Sequence, residues 1–124
     1  MTEYGGIVRI NNNKTVDDQA YPRGIPLPDG GFLIVYEEWG SGFDINTIRF
    51  DEDSNRLTNT ATVHPAETDS GQGLAVPVHL NNGNIAIMYY NNTGTGENVV
   101  FSLLDSDLTV LLETVLINTN TTGF

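Results

Sequence analysis

Three groups of side chains in this 124-residue chain carry oxygen or nitrogen at spacings that chemistry uses. Asp51, Asp53 and Asn55 alternate along the chain in the way that opens many calcium loops, where a hard cation gathers carboxylate and amide oxygens. The same spacing suits a plain turn, because Asp and Asn side chains accept hydrogen bonds from backbone a few residues on. A calcium loop of the common kind also needs a turn glycine and a later bidentate glutamate, and neither stands at the expected place. A turn is therefore expected, with calcium as the one cofactor in view.

Trp39 stands between Glu37-Glu38 and Asp44, which is an aromatic platform beside carboxylates, the arrangement of a lectin or a glycosidase. Tyr90 and Asn91 occupy the matching place later in the chain, so a carbohydrate site would consist of Trp39, Glu38, Tyr90 and Asn91. Adjacent glutamates on extended backbone point to opposite sides, which speaks against the paired carboxylates of a hydrolase. A solvated loop from Glu37 to Asp44 is the simpler expectation. His64 and His79 are the only imidazoles, and cysteine is absent, so no thiolate nucleophile, thiolate metal site or disulfide exists. Each histidine is expected at the surface or at a strand end rather than as a base or zinc ligand. No catalytic constellation emerges, and the protein is not expected to be an enzyme.

The elements that carry these residues are organised by one stretch, Leu27 to Tyr36, in which Pro28-Asp29-Gly30-Gly31 precedes Phe32-Leu33-Ile34-Val35-Tyr36. Asp-Gly supplies residues that accept positive φ at low cost, as a tight hairpin requires. The pattern recurs as Leu80-Asn81-Asn82-Gly83-Asn84 before Ile85-Ala86-Ile87-Met88-Tyr89, at a constant offset of 53 (Gly30 to Gly83, Tyr36 to Tyr89). Ile10 with Val63, Thr15 with Thr68, Gln19 with Gln72 and Leu27 with Leu80 keep that offset, and one inserted residue then aligns Asp51 with Asp105 and Asp53 with Asp107.

Strands are expected at Ile7–Ile10, Tyr21–Leu27, Phe32–Tyr36, Ile45–Phe50 and Leu57–His64, then at Leu74–Leu80, Ile85–Tyr90, Val99–Leu103 and Val110–Asn118. Phe32, Ile34 and Tyr36 alternate with Leu33 and Val35, so both faces of this strand are apolar and it belongs inside the molecule. The predicted core is Phe32, Ile34, Tyr36, Ile48, Phe50, Ile85, Ile87, Tyr89, Phe101 and Leu103. No window carries a 3.6-residue apolar stripe bounded by caps, so helix is not expected.

Four short strands per unit, a period near 50 and glycine-containing turns are the signature of β-propeller blades. The expected fold is all-β: an extra outer strand over 1–11, one four-stranded antiparallel blade over 12–64, and a second with a C-terminal tail over 65–124, in one structural domain. Asp18-Gln19, Pro22, Leu27, Asp29-Gly30-Gly31-Phe32 and Ile48-Arg49-Phe50-Asp51, followed by Asp53 and Asn55, resemble the propeller-type tandem repeats of large secreted bacterial adhesin-like proteins. The resemblance implies a non-catalytic blade.

A propeller closes with roughly four to eight blades, so two blades require company. The expected partner is the chain itself, in a homo-oligomer for which a trimer supplies six blades. With 16 acidic against 5 basic side chains and a net charge of −11, the chain repels nucleic acid and anionic membrane. The first residues lack the basic start and apolar run of a secretory signal, and no window reaches the length of a membrane span. Placement outside a cell or in a virion would then follow another route. Two function classes remain: a structural subunit of a virion appendage, decoration or surface fibre, and a lectin-like module binding glycans or other surface proteins.

Overall fold

The computed structural model describes residues 10, 18–39, 43–65, 71–92 and 96–118. Eight strands run through them: β1 (Asp18–Pro26), β2 (Phe32–Trp39), β3 (Phe43–Phe50), β4 (Ala61–Thr62), β5 (Gly71–His79), β6 (Ile85–Asn92), β7 (Glu97–Leu104) and β8 (Val110–Leu116). The described residues contain no helix. Strands β1 to β4 form one four-stranded antiparallel sheet and β5 to β8 a second, joined by a single parallel bridge between Phe43 and Gly71. The expected extra strand over 1–11 lies, apart from Ile10, outside the described residues.

The backbone repeats more closely than the sequence does. The β1–β2 register jumps between Ala20 and Arg23, and the β5–β6 register jumps between Gly73 and Val76, again 53 positions on. Each bulge contains one left-handed residue, Tyr21 (φ 52°) or Leu74 (φ 53°), the backbone reversal that lets two residues oppose one. The hairpin glycines Gly30 and Gly83 sit at φ 90° and 92°, where a side chain would be strained. Thus the bulge recurs where the sequences share nothing: Tyr21-Pro22 in one copy, Leu74-Ala75 in the other.

Residues paired directly across antiparallel strands lie on one face of a sheet. In sheet 1, Leu33, Val35 and Ile45 share one face and Phe32, Ile34, Tyr36, Ile48 and Phe50 the other. In sheet 2 the equivalents of Ile34 and Val35 are Ile87 and Met88. The buried core joins the Val35 face of sheet 1 (Leu33, Val35, Ile45) to the Ile87 face of sheet 2 (Ile85, Ile87, Tyr89, Val100, Leu104), with Val63 from the connecting segment. Corresponding side chains therefore have opposite fates.

The predicted core changes accordingly. Tyr36, Ile48, Phe50, Ile85, Ile87 and Tyr89 are buried as expected, whereas Phe32, Ile34, Phe101 and Leu103 are only half-buried. Leu33, Val35, Val100 and Leu104 take the central places instead. Of the segment Leu57–His64, expected as a full strand, only the two residues of β4 form strand, with a single bridge from Arg56 to Phe50 just before the segment.

Candidate functional site

Both acidic loops are closed by their own hydrogen bonds. Asp51 Oδ1 accepts the backbone N–H groups of Asp53 (2.9 Å) and Asn55 (2.8 Å), and Asn55 Nδ2 donates to Asp51 Oδ2 at 3.2 Å. The Asn55 N–H, more than any other group, holds the Asp51 carboxyl below its ordinary pKa. In the second copy Asp105 Oδ1 accepts from Asp107 and Thr109 N–H, both at 2.9 Å. The Asp51, Asp53 and Asn55 set is thus a turn whose leading carboxylate is occupied by its own backbone. Among the described residues, no three His, Cys, Asp or Glu side chains come together as metal ligands.

The expected loop around Trp39 is strand for most of its length, since β2 continues to Trp39 and β3 begins at Phe43. Glu37 and Glu38 are consequently buried and, as alternation requires, point to opposite faces. Glu38 Oε2 accepts Asn46 Nδ2 at 2.9 Å, and Asn46 Oδ1 accepts the Thr62 hydroxyl at 2.9 Å. Its equivalent Asn91 accepts Gln72 Nε2 at 2.7 Å. Glu38 and Asn91 are therefore buried hydrogen-bonding groups. Trp39 is half-buried with its ring against Tyr21, centroids 5.4 Å apart. Tyr90 lies by Gly73 at the seam between the sheets, where a Cβ on Gly73 would come within 2.9 Å of both the Tyr90 hydroxyl and Glu37 Oε1. Burial first, then the carboxylates of Glu37 and Glu97, raises the Tyr90 pKa.

His64, expected at the surface, is fully buried, and its Nε2 accepts the Ile45 N–H at 2.9 Å. His79 is half-buried at the end of β5. It lines a cavity of about 400 Å³ between the two hairpin turns, together with Asp29, Arg49, Asn81, Asn82 and Ser106. Arg49 is already committed there: it pairs with Asp29 and donates to the Ser106 carbonyl at 2.6 Å, tying sheet 1 to the Asp105 turn of sheet 2. Two turns and their bridging cation thus meet at this cavity.

The surface feature that does stand out is apolar. Val76, Met88, Phe101 and Val115 lie side by side across β5, β6, β7 and β8. A second row, Val78, Ala86, Leu103 and Leu112, runs parallel to it on the same face. Val76 is 43% exposed, Val78 39% and Leu112 49%, while the same face of sheet 1 is sealed at Leu33 and Val35. The run Ile85-Ala86-Ile87-Met88-Tyr89 is apolar on both sides of β6, and which side lies open depends on where sheet 1 docks.

The chain matches no protein-family model, and no curated protein or solved structure is significantly similar to it.

Proposed function

We propose that this protein is a non-enzymatic structural subunit whose two sheets act as propeller-like blades and whose task is to assemble with copies of itself. The observation that carries the reading is the Met88 face of sheet 2, a four-strand-wide apolar surface of the kind that soluble monomers do not leave in water. Burying a Val or Leu side chain is worth roughly 1.5–3 kcal/mol, so covering several such residues drives association. Three copies would give six blades, inside the range that closes a propeller. The setting, outside a cell or on a virus particle, rests on the sequence resemblance to adhesin-like repeats. The chemistry of the described side chains supports the non-catalytic part, because Glu38, Asn91, Asp51, His64 and Arg49 each serve an internal hydrogen bond or ion pair.

Light scattering coupled to size exclusion tests this. A mass of several times 13.5 kDa at micromolar concentration is expected. A compact monomer would overturn it, leaving a self-contained sandwich of two sheets.

A further inference from the structure

We infer that the partner on the Met88 face of sheet 2 is the Ile34 face of sheet 1 in a second copy, so that copies join head to tail. This deepens the self-assembly reading and rests on it. The argument comes from the contact that the chain makes internally. Sheets 1 and 2 are copies at an offset of 53, yet they do not meet through equivalent faces. The Val35 face of the first covers the Ile87 face of the second. Such an interface is heterologous: it uses two different surfaces, and each copy of the unit carries both.

Applied to the whole chain, the internal interface leaves one surface of each kind at the two ends. Sheet 2 keeps its Met88 face, the equivalent of the Val35 face, and sheet 1 keeps its Ile34 face, the equivalent of the Ile87 face. The first is the open apolar surface described above. On the second, Tyr36, Asn46, Ile48 and Phe50 are already buried, and Phe32 and Ile34 are the part still half-exposed, with Phe32 stacked on Phe50 at 5.1 Å. The residues that fill the internal contact from the sheet 2 side include Ile85 and Ile87; a second copy offers Phe32 and Ile34 at the same positions, while Phe50, the equivalent of Leu104, is already buried within its own copy. The proposed contact thus continues an interface that the molecule already contains. Repeated with a closing rotation it makes a ring, and without one a filament. A symmetric dimer would instead set two Met88 faces against each other and leave the Ile34 face unused.

The two geometries separate on single-face variants. Val76→Glu/Leu112→Glu disables the Met88 face at exposed positions, and Ile34→Glu disables the other. Head-to-tail joining predicts that each variant alone runs as a monomer, with circular dichroism like that of the parent, and that mixing the two restores a 1:1 pair through their intact faces and nothing larger. If Ile34→Glu stays associated while Val76→Glu/Leu112→Glu does not, the contact is symmetric: head-to-tail joining fails and self-assembly stands. A monomeric parent overturns both. Because the chain has no cysteine, a milder pair gives a second readout. With a short bismaleimide, a mixture of Met88→Cys and Ile34→Cys copies should cross-link unlike to unlike. Cross-linking confined to Met88→Cys with itself would refute the inference.

Discussion

The imidazole Nε2 of His64 accepts the backbone N–H of Ile45 at 2.9 Å, with both residues fully buried. The next residue back, Val63, donates its own N–H to the Ile45 carbonyl at 3.0 Å, so the chain leaving sheet 1 satisfies both backbone groups of one core residue. The His64 ring also lies 5.6 Å from Tyr89 of sheet 2, which makes it a joint between the sheets.

Replacing His64 by Phe keeps a ring in the core and removes the acceptor. A buried N–H left unsatisfied costs about 1–3 kcal/mol. His64→Phe should lower stability by that amount in urea titration with an unchanged slope; a loss below about 0.5 kcal/mol would show that the N–H finds another partner.

Leu33 and Ile34 are neighbours with unlike roles. Leu33 is fully buried in the shared core, so Leu33→Ala should cost about 2–5 kcal/mol. Ile34→Ala should cost distinctly less under conditions where copies are apart, since Ile34 is half-buried. Equal losses by chemical denaturation would mean that both faces of β2 are equally enclosed.

Gly73 is held by a close approach. A methyl group there would meet Tyr90 Cε1 at 2.7 Å and Glu37 Oε1 at 2.9 Å, both buried or half-buried at the seam. Gly73→Ala should destabilise by about 1–3 kcal/mol, the range for overpacking. Gly83→Ala meets nothing within 4 Å and should lose stability only through backbone strain at its positive φ.

Acid should weaken the fold through its turns. The Gly31 N–H, followed by Arg49, lowers the Asp29 pKa, and the Asn55 N–H lowers that of Asp51. A carboxyl whose native pKa is depressed contributes stability above the unfolded value of about 3.9 and loses it as pH falls through the native value. The melting temperature should therefore fall below about pH 4, and less steeply in Asp51→Asn. A parallel fall in that variant would remove the turn from the account.

Salt should favour assembly. Copies carrying −11 charges repel one another, and ions screen that repulsion over about 8 Å at physiological strength, while an apolar contact is not weakened. The assembled fraction by light scattering should rise from 10 to 150 mM sodium chloride. A fall would indicate a contact held by ion pairs.

Much of this protein is written locally. Asp29-Gly30 and Asn82-Gly83 dictate their turns because only such residues accept φ near 90° cheaply, and Asp51 and Asp105 close theirs with their own carboxylates. Period-2 runs made the chain all-β, and the offset of 53 predicted two like sheets. What no local pattern contained is which face of each strand meets the other sheet. Ile34 and Ile87, or Val35 and Met88, are equivalent in sequence and in register, yet one of each pair is buried in the shared core and the other is only half-buried. The burial of Glu38 and Asn91 is likewise absent from their local pattern. A strand's backbone fixes that its side chains alternate, but burial depends on what lies ten ångströms or so beyond the sheet, and only the docking of one sheet on the next supplies that.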